Sequence, residues 1–342
     1  VAYTRNRIGG SMTLHGTTFD HTTFDDELAA RDIVGRDCRD MGSRVAAGDL
    51  ASGDLASGDL ASPPGAAAGR PAALPPPLQM LSAISRGRDV AAPARAVPEE
   101  TAVALVYDGS TEAVMMATPA DLEDFAVGFS LVEGIVGSPG EITDLSIVAG
   151  PAGIELRLWL AAPRADAYGR RRRRLAGPTG CGLCGIESLD EAMRPARRIA
   201  SDLSVASTDV AAAISALEAA QHLAHATHAT HAAGFFVPGR GLVALREDVG
   251  RHNALDKLAG ALARRGIAGA GGVVVITSRV SVEMVQKTAA IGAPVLIAVS
   301  APTALAVRTA QAAGLTLVVM ARGTGFEVYA GVERLRDLAP HG

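Results

Sequence analysis

Apolar and polar positions change rhythm near Val97. Beyond it, short apolar runs bounded by turn residues alternate with stretches of helical period. TAVALVYDG (101–109) and EAVMMAT (112–118) predict two strands. In the run that starts at Thr118, that residue can cap a helix, Pro119 suits the first helical position and Asp121 completes a capping box. Phe125, Phe129 and Val132 then share one helical face. TDLSIVAG and GIELRLWLA read as two more strands. After Ser201 the pattern becomes regular: a helix in VAAAISALEAAQHLA (210–224), then a hairpin in HAAGFFVPGRGLVALRED turning at Gly239, Arg240 and Gly241. HNALDKLAGALARRG (252–266) predicts a helix ending on Gly266, GGVVVITS (271–278) a strand and VSVEMVQKTAAIG a helix. PVLIAVS (294–300), PTALAVRTAQAAG (302–314), LTLVVMARG and FEVYAG add strand, helix, strand, strand. The order is α-β-β-α-β-α-β-α-β-β. Continuous apolar strands alternating with helices predict an α/β sheet covered on both faces.

Residues 1–95 differ in kind. GDLAS occurs three times in tandem from Gly48 to Ser62, followed by PPGAAAGRPAALPPP. Three pentapeptides are too few to bury a solenoid core. The composition predicts a low-complexity, disordered extension with Met12 and Met80 inside it, part of which reads as an upstream extension of the frame. The expected organisation is this extension over 1–95, a smaller N-terminal α/β subdomain over 96–200 and a larger α/β domain over 201–342.

Composition narrows the class. The chain has 342 residues, 48% hydrophobic and 4% aromatic, with a net charge of −4. The core must therefore be built mostly of Val, Leu, Ile and Ala, and nothing pulls the molecule globally toward nucleic acid. No run reaches about 18 strongly apolar residues, and the N-terminus lacks a secretory pattern, so a cytoplasmic protein without a membrane span is expected. Three cysteines are too few for a disulfide framework.

Two of the three stand in GPTGCGLCGIESL, where Cys181 and Cys184 are hemmed by Gly180, Gly182 and Gly185, downstream of five consecutive arginines, Arg170 to Arg174. A zinc site needs two more ligands, and His222, His225, His228 and His231, spaced by three, can be placed on one side of a helix. The strand and helix order is similar to the cytidine deaminase fold. A zinc deaminase also needs His-x-Glu, and none of the eight histidines has Glu two residues on, so the fold is retained and that reaction excluded. Thiol chemistry is the remaining option. The nucleophile is the thiolate, and lowering a cysteine pKa by about 1.5 units from 8.5 leaves roughly half of it ionised near neutral pH, a difference of about 2 kcal/mol that nearby arginines can supply. Glycines on each side give the loop freedom to move between partners. The plain alternative is a solvated arginine run, and on the motif alone zinc and thiol chemistry both stay open. A nucleic-acid binder using the arginines is disfavoured by the scarcity of aromatics for stacking.

Three loops can hold anions. REDVGRHNALDK (246–257) places Arg251, His252 and Asn253 at a helix start with Lys257 one turn on. The bland reading is capping by Asp248 or Asn253, with Arg246 and Lys257 on the surface. TSRVSVEMVQK offers Ser278, Arg279 and Ser281 after a buried strand, and ARGTG (321–325) follows the last long strand. Loops at the carboxyl ends of strands in open α/β sheets are where ligands gather, and three of them favour a nucleotide-bearing ligand.

Taken together, TGCGLCG, REDVGRHNALDK, SRVSVEMVQK, VSAPTALAV and the closing RGxxFxVY resemble the FdhD/NarQ family of formate dehydrogenase accessory proteins, from about Val97 to Tyr329. The resemblance implies a cytidine-deaminase-like three-layer α/β/α core with a smaller N-terminal α/β subdomain, commonly as a homodimer. It implies a cytoplasmic sulfurtransferase, a sulfur carrier with a cysteine persulfide intermediate. The carrier takes sulfur from a cysteine desulfurase. It passes it to the molybdenum or tungsten bis(molybdopterin guanine dinucleotide) cofactor before that cofactor enters the formate dehydrogenase catalytic subunit. The cofactor is then a bound substrate, and no permanent cofactor or resident metal is implied. By the same resemblance Cys181 carries the persulfide and Cys184 assists it. The family's cofactor-binding stretch falls on Met320, Ala321, Arg322, Gly323, Thr324 and Gly325. Arg251, His252, Asn253, Lys257, Ser278 and Arg279 complete the expected guanine dinucleotide contacts. An alternative is a cofactor-binding chaperone that transfers no sulfur. Gly325 stands where some relatives carry a basic residue, which removes one expected phosphate contact. The N-terminal extension has no counterpart in the family.

Overall fold

Asp108 and Gly109, both at positive φ (47° and 79°), turn strand β3 (Thr101–Tyr107) tightly into β4 (Ser110–Ala117). Such a pair matches the right-handed twist of the flanking strands. This computed structural model describes residues 73–82, 94–166, 168 and 195–338. The GDLAS repeats, the arginine run, Cys181 and Cys184 lie outside the described residues. Ahead of β3, a short antiparallel pair joins β1 (Leu78–Leu81) to β2 (Arg95–Pro98). The sequence pattern did not signal these two strands. Their side chains are largely exposed, so they lack the apolar alternation that marks a half-buried strand.

β3 and β4 belong to a four-stranded sheet in the order β4-β3-β6-β5, with β5 (Ile142–Gly150) and β6 (Gly153–Leu160). β3 and β6 are parallel, which requires a crossover, and helix α1 (Leu122–Val132) supplies it. In β6, Ile154, Leu156, Leu158 and Leu160 are buried while Arg157 and Trp159 point outward, the period-two pattern that the sequence carries. The buried face packs on Leu122, Phe125, Ala126 and Phe129 of α1. The helix starts later than the sequence predicts. Asp121 is its N-cap at φ 53° and makes no side-chain cap bond, so the expected capping box does not form. Thr118 is instead buried, and its polar groups are spent on a distant segment.

The second sheet has six strands in the order β12-β11-β10-β9-β7-β8. Helix α2 (Ser207–Ala220) and a short α3 (His222–Thr227) precede the hairpin β7 (His231–Val237) and β8 (Gly241–Asp248). Helix α4 (Arg251–Arg264), β9 (Val273–Ile276), α5 (Val282–Ile291), β10 (Val295–Ala298) and α6 (Ala304–Ala313) follow. β11 (Thr316–Arg322) and β12 (Gly325–Ala330) close it. Apart from the break at Gln221 that creates α3, this is the order read from the sequence. Helices cover both faces. Leu255 and Leu258 of α4, Met284 of α5 and Ala306 of α6 pack on Val274, Ile276, Leu296 and Leu317. Val210, Ile214 and Leu217 of α2 pack on Val273, Val275 and Ile297 from the other side. Every residue of β9 and β10 is buried, which explains why they read as unbroken apolar runs. No helix among the described residues is long and apolar enough to cross a membrane.

The two sheets meet through α1 and α4. A Cβ added at Gly128 would lie 1.7 Å from the Asp256 carbonyl oxygen, and one at Gly260 would lie 1.9 Å from that of Asp124. Only glycine lets the two backbones approach this closely. Charges flank the crossing. Asp124 accepts from Arg246 (2.8 Å to Nε) and Arg264 (2.7 Å), and Lys287 of α5 donates to the buried Asp256 at 2.7 Å and to Glu133 at 3.3 Å. Burial pushes the Asp256 carboxyl up to about 6, against the opposing pull of Lys287.

Candidate functional site

Strand direction builds the site. β9, β10 and β11 are parallel, β7 runs against β9, and β8 runs against β7. β8 therefore points the same way as β9, and four strands end at one edge of the sheet. The loops that follow them carry most of the residues predicted as anion contacts. The loops after β9 and β10 are bonded to each other, Val280 N–H donating to Ala301 O (3.1 Å) and Thr303 N–H to Val280 O (2.9 Å), and to neighbouring strands, Thr277 N–H donating to Ala232 O of β7 (3.1 Å) and Met320 N–H of β11 to Ser300 O (3.3 Å). An edge tied in this way presents fixed backbone rather than separate floppy loops.

On this edge the predicted residues divide into two groups. Arg279 and Arg322 are exposed and Arg251 is half-buried. Met320, at φ 52° and 41% exposed, sits in the bulge of β11 between Val319 and Arg322, Ala321 tucks into the core, and Arg322 pairs with Gly325 across a hairpin turn formed by Gly323 and Thr324. The stretch 320–325 is thus the bulged end of β11, a two-residue turn and the start of β12. His252 Nε2 lies 2.7 Å from Glu283 Oε2, with the Ser281 hydroxyl 3.4 Å from the same oxygen. Burial, with Arg251 and Lys287 acting in the same sense, holds the His252 pKa below its ordinary value although Glu283 pulls it up. Burial and Arg251 lower His231 in the same way, against Asp248.

The second group points inward, and here the sequence-based roles change. Lys257 has no exposed surface; its ammonium lies 2.6 Å from Asp248 Oδ2, donates to Thr118 O at 2.9 Å and sits 5.9 Å from the Phe125 ring centre. Asn253 is 2% exposed and donates to Met116 O (2.8 Å) and Asp248 Oδ1 (3.0 Å). Both side chains are spent inside the protein, so they support the loop from beneath instead of reaching an anion. The bland reading is corrected too. Asp248 does accept from the Gly250 N–H, at 2.7 Å, but Lys257 is not a surface residue and Arg246 is bound to Asp124. Ser278 is buried, and its hydroxyl donates to the Arg279 carbonyl at 3.1 Å.

Helix α3 ends at Thr227, His228 caps it at φ 55° and His231 begins β7. The four evenly spaced histidines therefore do not share one helical side, and among the described residues no group of three or more potential ligands is arranged to hold a metal. Sequence reasoning missed Thr118 and Glu283. The Thr118–Pro119 pair signals a helix start, because the residue before proline is extended as an N-cap is, so nothing local pointed to the distant partners of Thr118. Glu283 gives no signal by itself, since an acidic residue in a first helical turn is commonplace.

Comparison with known proteins extends the reading to residues the geometry does not cover. A 55% identical relative from Agrobacterium fabrum, matched over 242 residues, 70% of this chain and 89% of its own, is named sulfur carrier protein FdhD. Relatives with the same name from Brucella abortus and Cupriavidus necator are 56% and 50% identical, covering 70% and 77% of this chain and 90% and 92% of their own. A crystal structure from Desulfotalea psychrophila, described as that of a formate dehydrogenase accessory protein, matches with a TM-score of 0.58 and 25% identity, over 75% of this chain and 98% of its own. The model of the FdhD/NarQ family matches residues 98–336, a span that holds both sheets, all four strand-end loops, Cys181 and Cys184. With family model, relatives and fold in agreement, the chain belongs to the FdhD/NarQ family.

Proposed function

We propose that this protein is a sulfur carrier for formate dehydrogenase maturation that moves sulfur through a persulfide on Cys181. The observation that carries the proposal is the 55% identity, across 242 residues, to a protein named as a sulfur carrier. In the first step the Cys181 thiolate attacks the outer sulfur of a cysteine desulfurase persulfide. The desulfurase S–S bond breaks, its thiolate leaves with the electron pair, and Cys181 holds the sulfane sulfur. In the second step the Cys184 thiolate attacks the inner sulfur. A Cys181–Cys184 disulfide forms and hydrosulfide departs toward the metal of the bis(molybdopterin guanine dinucleotide) substrate. A dithiol reductant then reopens the disulfide. The substrate's phosphates and guanines rest on the edge formed by Arg251, Arg279 and the 320–325 stretch. Support comes from the convergence of these loops at one set of strand ends, where open α/β sheets take their ligands. The deaminase-like reading of the fold belongs to the same proposal. An antiparallel hairpin leading into three parallel strands, with helices on both faces, supports it.

The experiment is intact mass after incubation with a cysteine desulfurase and cysteine. The wild-type protein gains one sulfur that reduction removes, and Cys181→Ala gains none. Cys184→Ala loads sulfur and delivers it poorly. Loading and delivery by both variants at the wild-type level would leave the chaperone reading in place of this one.

A further inference from the structure

Thr118 precedes α1 in the four-stranded part of the molecule, 130 residues from Asp248, yet all three of its hydrogen-bonding groups are used by the segment Asp248–Lys257. Its N–H donates to Asp248 Oδ2 (3.0 Å), its hydroxyl oxygen accepts from the Val249 N–H (3.1 Å) and its carbonyl accepts from Lys257 Nζ (2.9 Å). Asp248 is filled in turn. Oδ1 accepts from the Gly250 N–H and Asn253 Nδ2, and Oδ2 accepts from the Thr118 N–H and Lys257 Nζ. That accounts for the roughly four lone-pair sites of a carboxylate. Val249 and Gly250, the two residues before Arg251, are therefore each held through the backbone N–H by a buried oxygen. The packing leaves no slack. A Cβ at Gly250 would lie 2.8 Å from Asn253 Nδ2 and 3.3 Å from Asp248 Oδ1.

We propose that Thr118 is a positioning residue for the Arg251–His252 turn, fixing from the four-stranded layer the place of the guanidinium that meets the ligand; the ligand half of this statement rests on the nucleotide reading of the edge. Thr118 touches no ligand. It acts through Val249 and Asp248, which set where α4 begins.

The ligand-free protein carries its own readout. Arg251 lowers both His231 and His252, in addition to burial, while Asp248 acts upward on the first and Glu283 upward and Lys287 downward on the second. A displaced Arg251 releases both imidazoles toward their ordinary pKa. The variants are Thr118→Val, which deletes the hydroxyl acceptor at nearly constant volume, and Thr118→Ser, which keeps it. Thr118→Ala repeats the loss in a smaller side chain, in case the valine does not fold. Ile154→Val, in the core of the four-stranded layer, controls for a general loss of stability. Imidazole titrations are followed by NMR and guanosine diphosphate affinity by calorimetry, both on the folded full-length chain. Thr118→Val is expected to move both histidine midpoints upward and to weaken guanosine diphosphate by about five- to tenfold. Thr118→Ser and Ile154→Val keep the wild-type values. Unmoved midpoints in Thr118→Val and Thr118→Ala overturn the proposal, whatever the affinity does. Moved midpoints with no guanosine diphosphate binding by the wild type uphold the positioning role and remove the nucleotide reading instead.

Discussion

At the scale of single residues, the informative side chains are the buried charged ones. Lys257 reads in the sequence as a cation one turn into a helix, available to an anion. Folding gives it a different task, because Asp248 lies 2.6 Å away and neither side chain reaches solvent. Removing one partner of a buried pair leaves the other charge uncompensated, which typically costs about 3–5 kcal/mol. Lys257→Met should therefore lower the unfolding free energy by that amount in a denaturant titration. A lysine serving only as a phosphate contact would leave stability nearly unchanged. Arg279 and Arg322, by contrast, are exposed. The difference is one of topology. All three sit near strand ends, but Lys257 is on the turn of α4 that faces α1, and no local pattern says which element will lie against that turn.

At the scale of elements, the decisive contact is the crossing of α1 and α4 at Gly128 and Gly260. The sequence reading used the apolar face of α1 and the helical pattern of α4, and left both glycines without a role. An isolated glycine in a helix weakens it by about 1 kcal/mol relative to alanine, so local propensity favours substitution here. Packing opposes it, since each added methyl would fall well inside contact distance of a carbonyl. Gly128→Ala and Gly260→Ala are each expected to destabilise the protein by about 1–3 kcal/mol or more, as in other overpacked cores. The double variant should cost less than the sum, because the two sites share one contact and separating the helices once relieves both. Denaturation midpoints of the three variants check this. Strands and helices on the six-stranded side were legible from the pattern because β9 and β10 are apolar throughout and their helices carry one apolar face. The start of α1 was not legible, because Thr118 had a tertiary partner that outweighed its capping preference.

At the scale of the whole molecule, parallel strands bring loops far apart in the chain to one edge. If guanosine diphosphate binds there, a concentration near a hundred times its dissociation constant raises the unfolding free energy by about 2.7 kcal/mol. Arg279→Ala and Arg322→Ala should each reduce the rise in Tm measured by scanning fluorimetry, and added salt should reduce it further through screening. A rise untouched by both substitutions would place the nucleotide elsewhere.

The amino-acid sequence by itself determined the alternation of strands and helices, the two-sided burial of the central strands and the glycine-flanked cysteine pair at 181 and 184. These are local properties, set by the period of apolar positions and by the chemistry of adjacent side chains. Only the tertiary structure decided which cations face outward, where α1 begins, and that Thr118 and Asp248 would meet across 130 residues. Those outcomes depend on which surfaces come together, and the free energy of burying a polar group is fixed by a partner that the local sequence does not contain.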